Sequence, residues 1–205
     1  MIIITGASRG IGQFLFNHFL SKDEAVIGIY NNSQPNQNVE NYFHLNVTNY
    51  DDVKKFIENN LDKLNNITLI NCAGITYNSF THKSEPDKWK EVIDTNLVGT
   101  FNVIRAILPL MREQKFGRII NFSSVVAIKP TPGISAYSAS KSALWGMSKS
   151  IAIENAALNV TINNVNLGYS ELGMIEMVPE NYIKTIIAQI PAGILCEPKD
   201  ILSTV

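Results

Sequence analysis

Tyr137 and Lys141 stand four residues apart in AYSASKSA, residues 136–143, so a helix would bring both to one face. A free phenol titrates near pH ~10 and shuttles protons poorly at neutral pH unless its anion is favoured. A lysine cation one turn away would favour that anion. The same spacing also arises on ordinary amphipathic helices, where an aromatic and a lysine merely share a face. Upstream, an apolar run closes on the hydroxyls of Ser123 and Ser124. A hydroxyl at a strand end can donate to a carbonyl oxygen and stabilise negative charge that develops there. A Ser-Ser pair at such a place is equally a common turn. Asn96, in TNLVGT, reads by residue type as one that kinks or caps a helix.

A second chemical signal lies at the amino end. TGASRGIG, Thr5 to Gly12, closes the first apolar run and opens a helical one. Gly6, Gly10 and Gly12 would let backbone approach a pyrophosphate closely, with Ser8, Arg9 and Ile11 set between them. The helix terminus would add unpaired N–H groups and the positive end of a dipole. A glycine-rich turn without a ligand is the plain alternative. The second apolar run ends Ile29-Tyr30-Asn31-Asn32-Ser33, with no carboxylate to accept from a ribose 2′-OH. Arg9 offers a guanidinium that could pair with a 2′-phosphate, or is only a solvated loop charge. NADP(H) is therefore favoured over NAD(H).

These residues need a scaffold, and the hydrophobic pattern describes one. Apolar, β-branched runs at Met1–Thr5, Ala25–Tyr30, Tyr42–Leu45, Thr68–Asn71, Arg118–Phe122 and Val160–Val165 alternate with helical segments. The helices are expected at Gly10–Leu20, Tyr50–Asn59, Pro86–Met111, Ser138–Ala157 and Glu180–Gln189. Uniformly apolar strands separated by helices imply a parallel sheet covered on both faces. Right-handed crossovers make it a doubly wound α/β fold, a three-layer α/β/α sandwich. Residues 31–41, NNSQPNQNVEN, read as a solvated loop because strand-like residues resume at once.

Composition narrows the function classes. At 205 residues the chain fits one domain with a substantial core. Hydrophobic residues at 45% against charged residues at 17% exclude a disordered chain. A net charge of −1 without a basic stripe speaks against nucleic-acid binding. Runs such as MIII and AVIGIY are too short to span a bilayer, and no signal peptide is seen at the amino terminus. Two cysteines, Cys72 and Cys196, argue against a disulfide framework and fit a reducing cytoplasm. No metal is expected.

The glycine turn, NCAG (Asn71–Gly74), TNLVGT around Asn96, SSVV (Ser123–Val126) and YSASK (Tyr137–Lys141) occur in the order and spacing of the short-chain dehydrogenase/reductase family, which the chain resembles over nearly its whole length. LNVTN, INCAGIT, GRIINFSSVV and IPAGIL are similar to the 3-oxoacyl-acyl-carrier-protein reductase branch. The resemblance implies a Rossmann-like fold, one dinucleotide-binding and catalytic domain over residues 1–205, and a substrate lid at about 169–190. It implies that Tyr137 is general acid or base, that Ser124 rather than Ser123 holds the substrate oxygen, and that Lys141 also binds the nicotinamide ribose. Asn96 would hold a water relay to solvent. Asn46 and Val47 match residues bordering the adenine, Asn71, Ala73 and Gly74 match those beside the cofactor ribose, and Gly168 lies near the nicotinamide. Cys72 stands where a second asparagine is more usual, and its expected role is small and apolar. Leu167 replaces a proline and Leu172 a threonine that often touches the cofactor. The chain stops at Val205 inside the helix begun by EPKDILSTV, before the family's last edge strand.

The implied activity is NADPH-dependent carbonyl reduction, with a 3-oxoacyl thioester on acyl carrier protein as one substrate. A sugar, a small ketone or an alcohol oxidised in reverse is another, and a nucleotide-binding regulator without turnover is a third reading. Lys115 and Arg118 are candidates for docking an acidic carrier. The family also implies a homodimer or homotetramer through the helices at Leu97–Met111 and Ser138–Ala157, with Phe101, Ile104, Leu144, Trp145 and Met147 on the shared face or in the core.

Overall fold

Isoleucine, valine and leucine dominate the extended runs, where branched side chains pack well on a pleated surface buried from both sides. In the computed structural model, which describes residues 1–173, 175 and 178–205, six such runs form one parallel sheet. They are β1 (Ile2–Thr5), β2 (Val26–Tyr30), β3 (Tyr42–His44), β4 (Thr68–Asn71), β5 (Gly117–Ser124) and β6 (Val160–Leu167), in the order β3-β2-β1-β4-β5-β6. The helices are α1 (Gly10–Leu20), α2 (Tyr50–Glu58), α3 (Pro86–Ile93), α4 (Gly99–Gln114), α5 (Ser135–Asn155), α6 (Glu180–Ala188) and α7 (Pro198–Thr204). This is the expected Rossmann-like, three-layer architecture.

Alternation along each strand feeds two cores. Ile3, Ile27, Ile29, Leu69, Ile119 and Ile162 face α2, α4 and α5, where Val53, Ile104, Ile107 and Ile151 meet them. Ile4, Val26, Ile70 and Phe122 face the other way, against Leu15 and Phe16 of α1 and Ile201 of α7. The strand order reverses between β1 and β4, which opens a crevice at their carboxyl ends, the place where doubly wound sheets bind ligands. Register there is pinned by Thr5↔Asn71 and by the Ala73 N–H, which donates to Thr5 Oγ1 at 3.1 Å. With the chain as it stands, β6 forms the far edge of the sheet.

The helical segment expected at Pro86–Met111 is not one continuous α-helix. A π-turn at Asp94–Val98 separates α3 from α4, so one residue more than usual is fitted into a turn. Asn96 lies in the middle of this turn and is completely buried. Hydrophobic period cannot reveal such an insertion, because the apolar stripe resumes with little change on the far side.

Candidate active site

Five carboxyl-edge segments converge on the crevice: the glycine turn after β1, the loops after β4, β5 and β6, and the start of α5. At the glycine turn, Gly6 and Gly10 hold φ of +64° and +52°, a region that side chains disfavour. A Cβ at Gly12 would lie 2.3 Å from the Gly6 carbonyl oxygen, so the turn is drawn tightly onto α1. Neither a capping side chain nor an acidic residue occupies the first turn of α1. Its amide groups and dipole therefore remain available for a pyrophosphate, and the turn fits a dinucleotide. Arg9, the N-cap residue, is exposed, as is Asn31 beyond β2.

Other residues expected at the cofactor are already engaged. Asn46 Oδ1 accepts from the N–H and the hydroxyl of Thr48, at 3.1 and 2.9 Å, which turns its amide to local capping. Val47 is buried and packs on Gly99, where a Cβ would meet its Cγ2 at 2.6 Å. Asn71 points into the structure and donates to Asn121 Oδ1 at 2.8 Å. Ala73 and Gly74 line the crevice between Gly6 and Asn96, and Gly168 is exposed beside open space.

The two serines divide sharply. Ser123 is buried beneath α5; its hydroxyl donates to the Lys141 carbonyl at 2.9 Å and accepts from Trp145 Nε1 at 3.1 Å. Ser124 instead faces the crevice. Its Oγ accepts from the Val126 N–H at 3.3 Å, and it lies near enough to the Tyr137 phenol to pull that group's pKa down. Strand alternation produces this division, since neighbours on β5 point to opposite sides.

Lys141 is buried, with Nζ 5.5 Å from the centre of the Tyr137 ring and donating to the Phe122 carbonyl at 2.7 Å. Burial lowers its pKa to about 8, with a smaller opposing effect from Cys72. The phenol does not follow the expectation of an acidified tyrosine. Burial raises the Tyr137 pKa, and the group that offsets this is Ser124 rather than the lysine. The physical reason is desolvation: the crevice disfavours the phenolate more than its surroundings favour it. Cys72 is half-buried, and burial pushes its thiol up to about 12 although Lys141 pulls the other way, so it stays protonated and unreactive.

The side chain of Asn96 is fully engaged. Oδ1 accepts from the Ile75 N–H at 2.8 Å, and Nδ2 donates to the Ile75 carbonyl at 2.9 Å and to Ser140 Oγ at 3.1 Å. Ile75, Ser140 and Trp145 were not legible as site residues from spacing. The one available signal was a serine at a helix-interior position where alanine is the better helix former.

Comparison with known proteins adds a family to this geometry. Residues 1–182 match the family model described as short chain dehydrogenase. The chain belongs to the short-chain dehydrogenase/reductase family. It is 33% identical to the 3-oxoacyl-[acyl-carrier-protein] reductase FabG of Haemophilus influenzae, over 99% of this chain and 87% of that protein. It is 35% identical to the acetoacetyl-CoA reductase of Paracoccus denitrificans, over 97% of this chain and 86% of the relative. The crystal structure of a 3-oxoacyl-[acyl-carrier protein] reductase from Brucella melitensis superposes with a TM-score of 0.89 at 27% identity, covering 99% of this chain and 81% of that one. This short-chain dehydrogenase/reductase is thus an NAD(P)-dependent oxidoreductase acting on carbonyl or hydroxyl groups.

Two sets of surface candidates can be placed on the fold. Lys115 caps α4 just before β5, and Arg118 lies near the amino end of β5, about 20 Å from Ser124 at the rise of an extended strand. Arg118 is occupied there, stacking on Phe116 and donating to Asn159 O and Oδ1 at 2.8 and 3.1 Å. Within one chain, this pair does not flank the crevice. Ile104 and Leu144 belong to the core at 1% exposure, so of the residues considered for a subunit face only Phe101 is openly exposed, next to Val98. Among the described residues, no helix is long and apolar enough to cross a membrane.

Proposed function

We propose that the protein reduces the keto group of 3-oxoacyl thioesters with NADPH. The observation that carries this reading is the convergence of Ser124 and Tyr137 at the carboxyl edge, close enough for the serine to offset the rise in the phenol's pKa, with Lys141 buried 5.5 Å from the Tyr137 ring centre. Bound nicotinamide supplies the hydride. Tyr137, kept protonated by burial, delivers its proton to the substrate oxygen as negative charge grows there. Ser124 donates to that oxygen in the same step, and then to the phenolate left behind. Lys141, near pH 8, titrates close to neutrality and returns a proton toward the tyrosine.

Relatives named for a 3-oxoacyl carrier protein and for acetoacetyl-CoA share the 3-oxoacyl thioester, which supports that substrate class. Exposed Arg9 and the carboxylate-free end of β2 support NADPH over NADH. On this reading residues 1–205 form one dinucleotide-binding and catalytic domain, and the segment at about 169–190 is the substrate lid. Met174, Glu176 and Met177 of that lid lie outside the described residues. Exposed Val98 and Phe101 support pairing of two copies through α4.

The test is a panel of 3-oxoacyl thioesters and simple ketones, each tried with NADPH and with NADH while oxidation of the nicotinamide is followed. Turnover of a 3-oxoacyl thioester with NADPH preferred is the expected result. A panel left untouched by a protein that still binds NADPH tightly would instead favour a nucleotide-binding regulator.

A further inference from the structure

We infer that Ser140 is a positioning residue for Tyr137, an inference that rests on the reductase reading above. Ser140 sits between Tyr137 and Lys141 on α5 and is completely buried. Its single hydrogen goes to the Tyr137 carbonyl at 2.8 Å, and its oxygen accepts from Asn96 Nδ2 at 3.1 Å. Asn96 spends its other amide hydrogen and its carbonyl oxygen on Ile75. One line of hydrogen bonds therefore runs from the loop after β4, through the π-turn, to the backbone that carries the phenol. Ser140 is the joint between the last two.

The sequence choice supports a task beyond filling space. Alanine would be the better helix former at this buried place, and a serine that bonds back to a carbonyl in the preceding turn weakens its own helix. The π-turn is also held from its other side, where Thr100 Oγ1 donates to the Asn96 carbonyl at 2.9 Å. With Asn96 clamped by Ile75 and Thr100, Ser140 passes a fixed position to Tyr137. Losing it leaves the phenol on a helix no longer registered to the loop after β4, and reacting groups tolerate little misplacement.

Ser140→Ala and Ser140→Cys, which keeps the volume with a poor hydrogen-bonding group, are compared with wild type on the thioester selected by the screen. Both are expected to lower kcat roughly tenfold while KM for NADPH changes less than about twofold. In a cycle with Asn96→Ala, the double variant should be scarcely slower than Asn96→Ala alone, because the second change removes a link already cut. Unchanged kcat, or losses that multiply in the double variant, would overturn the inference and leave Ser140 as packing. A wild-type protein that turns over nothing sinks the reductase reading instead. The same cycle is then read in urea unfolding midpoints, where additive shifts refute the Asn96–Ser140 tie and strongly non-additive shifts retain it.

Discussion

The start of α5 and the segment from 169 to 190 both border the crevice, yet they are built in opposite ways. On α5, Ser140, Lys141, Leu144, Ser148 and Ile151 are buried, and their polar groups find partners on β5, β6 and the π-turn. α6 contributes no buried residue, and the described residues before it are joined to the loop at Cys196 by the Ser170–Cys196 bridge, with the Ser170 hydroxyl donating to Leu172 O at 2.8 Å. Gly173 reaches the glycine turn so closely that a Cβ on Gly10 would come within 2.9 Å of its Cα. The lesson is a division of labour. Groups that must keep a fixed geometry sit on a helix locked by burial and hydrogen bonds. The segment proposed to admit substrate includes a helix, α6, that buries none of its residues, and local opening costs least at such a place.

The contrast can be broken most severely at the locked end. Tyr137→Phe is expected to cut kcat about a thousandfold, and undiminished turnover would remove the proton donor from the proposal. Ser124→Ala should cost on the order of a hundredfold. Ser123→Ala, its neighbour, should change kcat only a few-fold and lower stability by about 1 kcal/mol, read from urea unfolding. Equal kinetic losses from both serines would contradict their opposite orientations.

Lys141 makes the burial measurable as a pH effect. Its folded pKa of about 8 lies below the ordinary 10.5, so between those values the unfolded chain binds more protons and stability rises with pH. Lys141→Met removes this dependence. The variant should be more stable than wild type near pH 7, with the gap closing by on the order of 3 kcal/mol as pH passes 10.5. A constant gap would mean that the ammonium is better solvated than its burial implies. The smallest effect tests the looser end. Brief trypsin treatment should cleave first at exposed Lys184 on α6, while buried Lys141 is cut only with global unfolding.

Much of this architecture was legible because strand and helix periods differ so plainly. α1 and β4 fall on the expected residues, and the other strands differ only at their ends. What escaped was whatever depends on more than one element. The π-turn hides inside an uninterrupted helical pattern. Ser123 and Ser124 are the same residue type, and only the facing of β5 separates them. Lys115 and Arg118 could be named as basic candidates for a carrier, but only the fold shows how far along β5 they lie from Ser124. The balance at Tyr137 was misjudged because a nearby cation can be inferred from spacing, whereas the depth of burial that opposes it cannot.

The placing of β6 has a consequence for how the protein is made. Ser148 and Trp145 of α5 bond to Asn164 and Asn166, both on β6, which is synthesised after all the reactive groups. A nascent chain released only as far as Lys141 already carries Asn96, Ser124, Tyr137 and Lys141, yet the helix that aligns them still lacks part of its floor. Maturation of the crevice therefore waits on β6, and a nascent chain that lacks Val160–Leu167 holds every reactive group with none of them fully set.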